Sequence, residues 1–330
     1  MKAILIKEGT KELFIGDHDA PVIGNDDLRV RVMATALNRA DLLQRRGKYP
    51  PPLGESEILG LEIAGIVEET GKNVSGIKQG DHIYALLPGG GYAEQARVPA
   101  GLAIPIPNGL TFEEATAIPE AFLTAYLNLF ELGNMKKGDF ILIHAAASGV
   151  GTAAVQLARE VGAIPIATAG SRKKLEVCQR LGAEYIINYR EESFSERVRE
   201  ITSGKGVDII LDPVGASYWD ENLESISQDG RWVVIGGMGG YEVEKLNLRT
   251  LMRKRVSLIG STLRSRTLED KIRLTDAFRN FAENRFGNGR LLPVIDRMFN
   301  WEQANEAHLY MEQNKNIGKI ILKINEGESK

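Results

Sequence analysis

Five short runs in the first third of the chain, KAILI, LRVRVMATAL, EIAGIVEET, DHIYALL and YAEQARV, are apolar or alternate between apolar and polar residues. They are rich in Val and Ile and are separated by Gly, Asn, Asp and Pro, a pattern that predicts short strands in a barrel-like or sandwich module. From about Leu110 the apolar spacing becomes helical in TFEEATAIPEAFLTAYLNLFEL, with Thr111 and Glu114 placed as a capping box. A domain boundary near residue 118 follows. Strands and helices then alternate to about residue 263: DFILIHAA, a continuous apolar run suited to a buried parallel strand, precedes GTAAVQLAREVGA, a helix ending at Gly162. IPIATAG, SRKKLEVCQRLGA and YIINY continue the series. Each strand and helix pair occupies about 25 to 30 residues, the unit of a doubly wound parallel sheet.

The 330 residues, 43% hydrophobic with net charge -3, describe a globular chain with room for about two domains. The N-terminal MKAILIKEGTKELFIGD lacks a signal-peptide run, and no stretch of about 18 apolar residues is present, so a cytoplasmic protein without membrane attachment is expected. The single cysteine, Cys178, excludes an internal disulfide and a Cys-rich zinc site. The charge balance argues against a nucleic-acid partner, which needs a concentrated positive face. The densest basic cluster, RTLMRKR from Arg249 to Arg255, reads as a solvated helix face or turn.

Candidate chemistry centres on HAAASGVGTAAVQLA, His144 to Ala158. Between an apolar strand and a helix, Ala146, Ala147, Ser148, Gly149, Val150 and Gly151 let a backbone approach a pyrophosphate at the helix N-terminus. The dinucleotide fingerprint appears as A-A-S-G-V-G, departing at its first two glycines, and tight helix-to-strand packing is the other reading. After the second strand the chain reads Ala169, Gly170, Ser171, Arg172, Lys173, Lys174, with no carboxylate to repel a 2′-phosphate. NADPH is therefore favoured over NADH. Tyr189 ends the third strand and is either part of that pocket or an edge aromatic. Gly215, and Gly237 and Met238 within Gly236 to Gly240, fall in loops where carboxyl-end turns line a ligand crevice or are ordinary turns.

His18, His82, His144 and His308 are scattered, with no partner at ligand spacing, so catalytic zinc is not expected. No G-x-S-x-G elbow anchors acyl transfer, and Cys178 reads as a packing residue. Hydride transfer from a nicotinamide remains.

The chain resembles the medium-chain dehydrogenase/reductase superfamily and, within it, the zinc-free quinone oxidoreductases of the zeta-crystallin type. The segments that carry the likeness, in order from Met1 to Ile324, are VRVMATALNRADLLQRRGKYP, GLEIAGIVEETG, HAAASGVGTAAVQLA, GRWVVIGGMGG and EAHLYMEQNKNIGKIILKI. SYWDENL, LDPVG and LRSR are similar to the stress-inducible quinone oxidoreductase branch. The resemblance implies an α/β fold: a GroES-like β-barrel catalytic domain, 1–118 completed by 266–330, and a Rossmann doubly wound parallel-sheet domain, 119–265, that binds NADPH. The active site would lie in the cleft between them. Asn38 and Leu61 stand where zinc dehydrogenases carry ligands, so no zinc is implied. Asn38, Asp41 and Tyr49 would face the nicotinamide and substrate, although loop hydrogen bonds are an equal reading for Asn38 and Asp41. Thr124 would lie beside the nicotinamide ribose, and Ala147, Ser148, Gly149, Val150 and Gly151 at the pyrophosphate. Ser171, Lys174 and Tyr189 would surround the 2′-phosphate, with Gly237, Met238, Ser261, Leu263 and Asn316 toward the nicotinamide end. The family also implies a homodimer joined at sheet edges, with VSLIGSTL as the candidate strand.

The expected reaction is zinc-independent hydride transfer from NADPH to an ortho- or para-quinone, with the proton from solvent or Tyr49. The alternatives are an enone or enoyl-thioester reductase with Tyr49 as donor at the α-carbon, and a binding protein that keeps the fold without turnover.

Overall fold

The computed structural model describes residues 1–282 and 284–324. It divides into two compact units, Met1–Leu123 together with the chain from Leu263 onward, and Thr124–Thr262.

In the first unit a hairpin of β1 (Lys2–Ile6) and β2 (Leu13–Asp17) precedes the ten-residue β3 (Asp27–Ala36). After α1 (Arg39–Arg45) come β4 (Glu62–Thr70), β5 (His82–Leu86), β6 (Gln95–Pro99), β7 (Ala103–Pro105), α2 (Phe112–Thr116) and α3 (Pro119–Tyr126). β3 pairs with β4 along one edge and with β6 along the start of the other. Its first half alternates inward and outward, so Leu28 and Val30 are fully buried while Arg31 is exposed. Its second half loses the alternation because both faces are covered: Val32 joins the main core, whereas Ala34 and Ala36 meet Ala117 and Ile321.

The second unit has six strands, β8 (Phe140–Ile143), β9 (Ile164–Ala169), β10 (Tyr185–Asn188), β11 (Val207–Asp212), β12 (Ile226–Val234) and β13 (Ser257–Gly260). They form one parallel sheet in the order β10-β9-β8-β11-β12-β13. The chain runs outward from β8 and then returns to its other side at β11, so the strand order reverses beside β8, the switch point at which such sheets bind ligands. The helices are α4 (Gly149–Val161), α5 (Arg172–Leu181), α6 (Phe194–Ile201), α7 (Trp219–Ser225) and α8 (Leu248–Lys254). Leu142, Ile166, Ile187, Ile210 and Trp232 from the sheet pack with Phe194 and Val198 of α6 and Trp219 and Leu223 of α7. Each such side chain contributes about 1.5–3 kcal/mol on burial, and β8, FILI, accordingly reads as an unbroken apolar run. α4 starts at Ser148 and stops at Gly162, whose φ of 75° is a left-handed C-cap that favours glycine. The basic run Arg249–Arg255 forms α8 and its end; Lys254 donates to the carbonyls of Leu223, Glu224 and Ile226, and Arg255 pairs with Asp229.

The chain then completes the first unit with α9 (Leu268–Ala282), β14 (Ile295–Asn300), α10 (Ala304–Glu312) and β15 (Lys319–Lys323). β15 pairs antiparallel with the end of β3, and Ile320 and Leu322 enter the main core while Ile321 enters the smaller one. The N-terminal β module is therefore built around a strand contributed from the far end of the sequence.

Candidate functional site

The turn between β8 and α4 has the geometry of an anion cradle. The Ser148 side chain caps α4, its Oγ accepting from the Gly151 amide at 3.1 Å. Ala145, one residue past His144, takes a left-handed φ of 48°, which reverses the chain tightly. A Cβ on Gly151 would lie 2.5 Å from the Ala145 carbonyl oxygen and 2.6 Å from Ala146 backbone atoms, so only glycine lets the helix approach the turn this closely. Ala147 is buried, and Ser148, Gly149 and Val150 are half-buried at the helix N-terminus, where free amides and the dipole favour an anion.

Past β9, Ser171 is the N-cap residue of α5 and half-buried, as is Lys174 one turn on. β10 pairs in register with β9, Asn188 beside Ala169, which brings Tyr189 next to Gly170. A Cβ on Gly170 would lie 2.5 Å from the Tyr189 hydroxyl and 3.0 Å from Arg190 Nε. Glycine at 170 thus makes room for a phenol and a guanidinium beside Ser171. Arg190 is not among the residues read from the sequence; its signal is its place two residues after the end of β10.

The remaining strands of this sheet carry their loops at the same edge. Gly215 has φ 82°, and a Cβ there would lie 2.7 Å from the Gly240 carbonyl. Met238 donates its amide to the Pro213 carbonyl and Gly239 to that of Val214, so the two glycine-bearing loops are tied together, with Gly237 and the exposed Met238 in the second. The Ser261 Oγ, just past β13, is buried without a partner. Beneath these loops lies a network missed by reading His144 as an isolated residue. His144 Nδ1 meets Thr168 Oγ1 at 3.0 Å and its Nε2 meets Asn222 Oδ1 at 2.7 Å. Asn222 and Trp232 both donate to Asp212 Oδ2, whose other oxygen accepts the amides of Val214 and Gly215. Burial pushes the His144 pKa down, so the ring is held neutral and orients the turn. Thr124, at the start of this unit, lies in α3 and its carbonyl accepts from Asn128.

The first unit holds a second polar cluster. Asn38 caps α1, its amide donating to Asp41 Oδ2 at 2.7 Å. The Asn38 side chain donates to Glu62 Oε1 at 2.8 Å and accepts from Lys319 Nζ at 2.7 Å. Lys319 and Glu62 form an ion pair at 2.6 Å with side chains 5% and 0% exposed, and Glu62 Oε2 accepts from the Glu120 amide at 2.8 Å. Glu62, Glu120 and Lys319 were not singled out from the sequence. Asp41, read there as either a cleft residue or a loop staple, is wholly buried, accepting also from the Gly60 amide and the Tyr92 hydroxyl. Burial pushes its pKa up to about 6. Burial, with Glu62 beside it, pushes Glu120 up to about 8. Tyr49 is half-buried; the Arg264 guanidinium lies 5.3 Å from its ring centroid and donates to its carbonyl. Burial, reinforced by Glu120, raises the Tyr49 pKa, so its phenol keeps its proton. Leu263 is buried, and the Asn316 side chain donates to the Gly318 carbonyl.

Two family models match the chain: alcohol dehydrogenase GroES-like domain over residues 24–108, and zinc-binding dehydrogenase over residues 149–277. A quinone oxidoreductase-like protein 2 homolog from Nematostella vectensis is 30% identical over 324 residues, covering 97% of this chain and 88% of that protein. The synaptic vesicle membrane protein VAT-1 homolog of Danio rerio is 32% identical over 317 residues, 92% of this chain, which spans 65% of that relative's length. Among solved structures, Escherichia coli quinone oxidoreductase complexed with NADPH has a TM-score of 0.86 at 30% identity, covering 98% of this chain and 99% of that one. The CurK enoyl reductase has a TM-score of 0.85 at 28% identity, with the same coverage. The chain belongs to the medium-chain dehydrogenase/reductase superfamily, a family of oxidoreductases. Within it, quinone oxidoreductases and quinone oxidoreductase-like proteins are among its relatives along nearly the whole chain.

The name of one matched family raises zinc, and the residues here do not fit it. Leu61 is an aliphatic core residue, Asn38 is spent on Glu62 and Lys319, and the Glu62 carboxylate is neutralised by Lys319. Among the described residues no group of three or more His, Cys, Asp or Glu side chains could hold a metal ion.

Proposed function

We propose that the protein is an NADPH-dependent quinone oxidoreductase that works without zinc. The observation that carries the coenzyme assignment is the turn after β9, where Tyr189 and Arg190 closely approach Gly170, Ser171 is the N-cap of α5 and the run from Ala169 to Lys174 carries no carboxylate. Such a turn favours the 2′-phosphate of NADPH over the 2′-hydroxyl of NADH. Ala147 through Gly151 would hold the pyrophosphate, while Gly237, Met238 and Ser261 lie at the carboxyl edge suited to the nicotinamide end. Thr124, Leu263 and Asn316 are assigned to that end on the family resemblance. When bound, the coenzyme supplies a hydride.

For the acceptor, Tyr49 is assigned to binding, and Asn38 and Asp41 to holding the α1 loop in place. The Tyr49 phenol, kept protonated by burial, can donate a proton or a hydrogen bond to a reduced oxygen. It is a weak acid, and a quinone suits it because aromaticity already stabilises the reduced oxygens. The relatives named as quinone oxidoreductases support this reading. The second reading, reduction of an activated C=C bond, is favoured by the likeness to an enoyl reductase. We also propose a homodimer joined through β13, an edge strand on which Leu258 is 44% exposed.

Tyr49→Phe separates the two acceptor classes. With quinones and NADPH, turnover should fall by less than about tenfold, since solvent can supply the proton; with enones, loss of a required donor costs about 10²–10⁴-fold. Steady-state rates of both proteins on both classes check this, and wild-type turnover confined to enones would establish the second reading instead.

A further inference from the structure

Apart from the Asn38 cluster, the first unit contains a cavity of about 160 Å³ bordered by Arg97, Arg264, Arg266 and Lys271, with the carboxylates of Asp27 and Glu55. Four cations against two carboxylates leave an excess of two positive charges. Both carboxylates are committed to one of the cations: Arg97 lies 3.1 Å from Glu55 and 3.8 Å from Asp27. The other three are not neutralised in this way. Arg264 is 5% exposed, and although its Nε donates to the Pro88 carbonyl and its Nη1 to that of Tyr49, its Nη2 is buried without a partner. The Nε of Arg266 is likewise buried and unpartnered. Lys271 is 7% exposed, and its ammonium forms no ion pair among the described residues.

Buried guanidinium N–H groups without acceptors are costly, and two of them on residues that border one cavity need a physical reason. Scaffolding accounts for Arg264 Nε and Nη1, which bridge two loops, but not for its remaining donor or for Arg266 and Lys271. An anion in the cavity would bring acceptors to the residues that border it, and guanidinium groups match tetrahedral oxyanions in charge and in hydrogen-bond geometry.

We propose that this cavity is a binding site for a small tetrahedral oxyanion, inorganic phosphate or a phosphate monoester, held by Arg264, Arg266 and Lys271. It is formed wholly by the first unit and uses none of the residues assigned above to the coenzyme. Arg264, which also lies against the Tyr49 ring, makes one wall of it.

The test is isothermal titration of the whole protein with inorganic phosphate in chloride buffer at constant ionic strength. Wild type and Arg266→Gln, Lys271→Met and Lys174→Ala variants are compared after circular dichroism has shown which are folded. The wild type should bind phosphate saturably with a Kd below about 10 mM. Arg266→Gln and Lys271→Met should each weaken it roughly tenfold, the loss of one charge-assisted contact, while Lys174→Ala leaves it unchanged. Should the buried Lys271→Met variant fail to fold, Arg266→Gln, at a half-buried position, still decides the matter. Absence of saturable binding in the wild type, affinity unaltered by Arg266→Gln, or binding lost in Lys174→Ala alone, which would place phosphate in the coenzyme pocket, would each overturn the proposal.

Discussion

Lys319→Met is expected to destabilise the first unit by about 3–5 kcal/mol, the cost of leaving a buried charge without its partner. Lys319 Nζ donates to Glu62 Oε1 at 2.6 Å, to Asn38 Oδ1 at 2.7 Å and to the Leu37 carbonyl at 3.0 Å. With methionine in its place, the fully buried Glu62 carboxylate keeps only the Asn38 side chain and the Glu120 amide. Two hydrogen bonds do not offset the desolvation of a carboxylate. The double variant Lys319→Met, Glu62→Gln removes both charges and should recover most of the loss. Denaturant unfolding of the three proteins at neutral pH measures this, and a single-variant loss under about 1 kcal/mol would mean that the pair behaves as a surface ion pair. The same variant should slow turnover even where the protein remains folded, because Asn38 loses the contact that fixes its amide.

Lys174→Ala is expected to raise the apparent KM for NADPH by about ten- to a hundredfold, the equivalent of one charge-assisted phosphate contact of about 1.5–3 kcal/mol. NADH, which carries no 2′-phosphate, should change by less than about twofold. Lys174 lies one turn into α5, whose N-cap Ser171 follows the Gly170 that Tyr189 and Arg190 closely approach. Steady-state kinetics with both coenzymes provides the check. Equal effects on the two would remove Lys174 from the 2′-phosphate and leave Arg190 as the cation to examine next.

The parts of this molecule that were legible in the sequence are those whose causes are local. The end of α4 at Gly162 was read because a left-handed glycine acts within a turn of its own helix, whereas Ser148, read as a small residue of the turn, is the N-cap. The unbroken apolar run of β8 announces a buried parallel strand because both of its faces are covered. The turn between β8 and α4 is equally local, since its strand and its close-approach glycine, Gly151, fall within a dozen residues. What was not legible depends on distant partners. Glu62 and Lys319 are 257 positions apart, and neither has a neighbour in sequence that marks it as buried. Tyr92 and His308 meet over 216 positions, and Arg264 reaches Tyr49 over 215. Asp41 illustrates the same limit: its spacing from Asn38 fits a helix cap and a cleft residue alike, and only its contacts with Gly60 and Tyr92 show that the carboxylate is enclosed. β2 was missed for another reason, as LFIGD is short and only Leu13 is buried.

NADPH-dependent quinone reduction is the activity proposed for this protein. The most direct measurement is oxidation of NADPH and of NADH by the wild-type protein, followed by near-ultraviolet absorbance, with ortho-quinones, para-quinones and enones, each with and without a metal chelator. The account predicts turnover of quinones that is unaffected by the chelator and prefers NADPH. Loss of activity on chelation, a preference for NADH, or failure to reduce any quinone would contradict it.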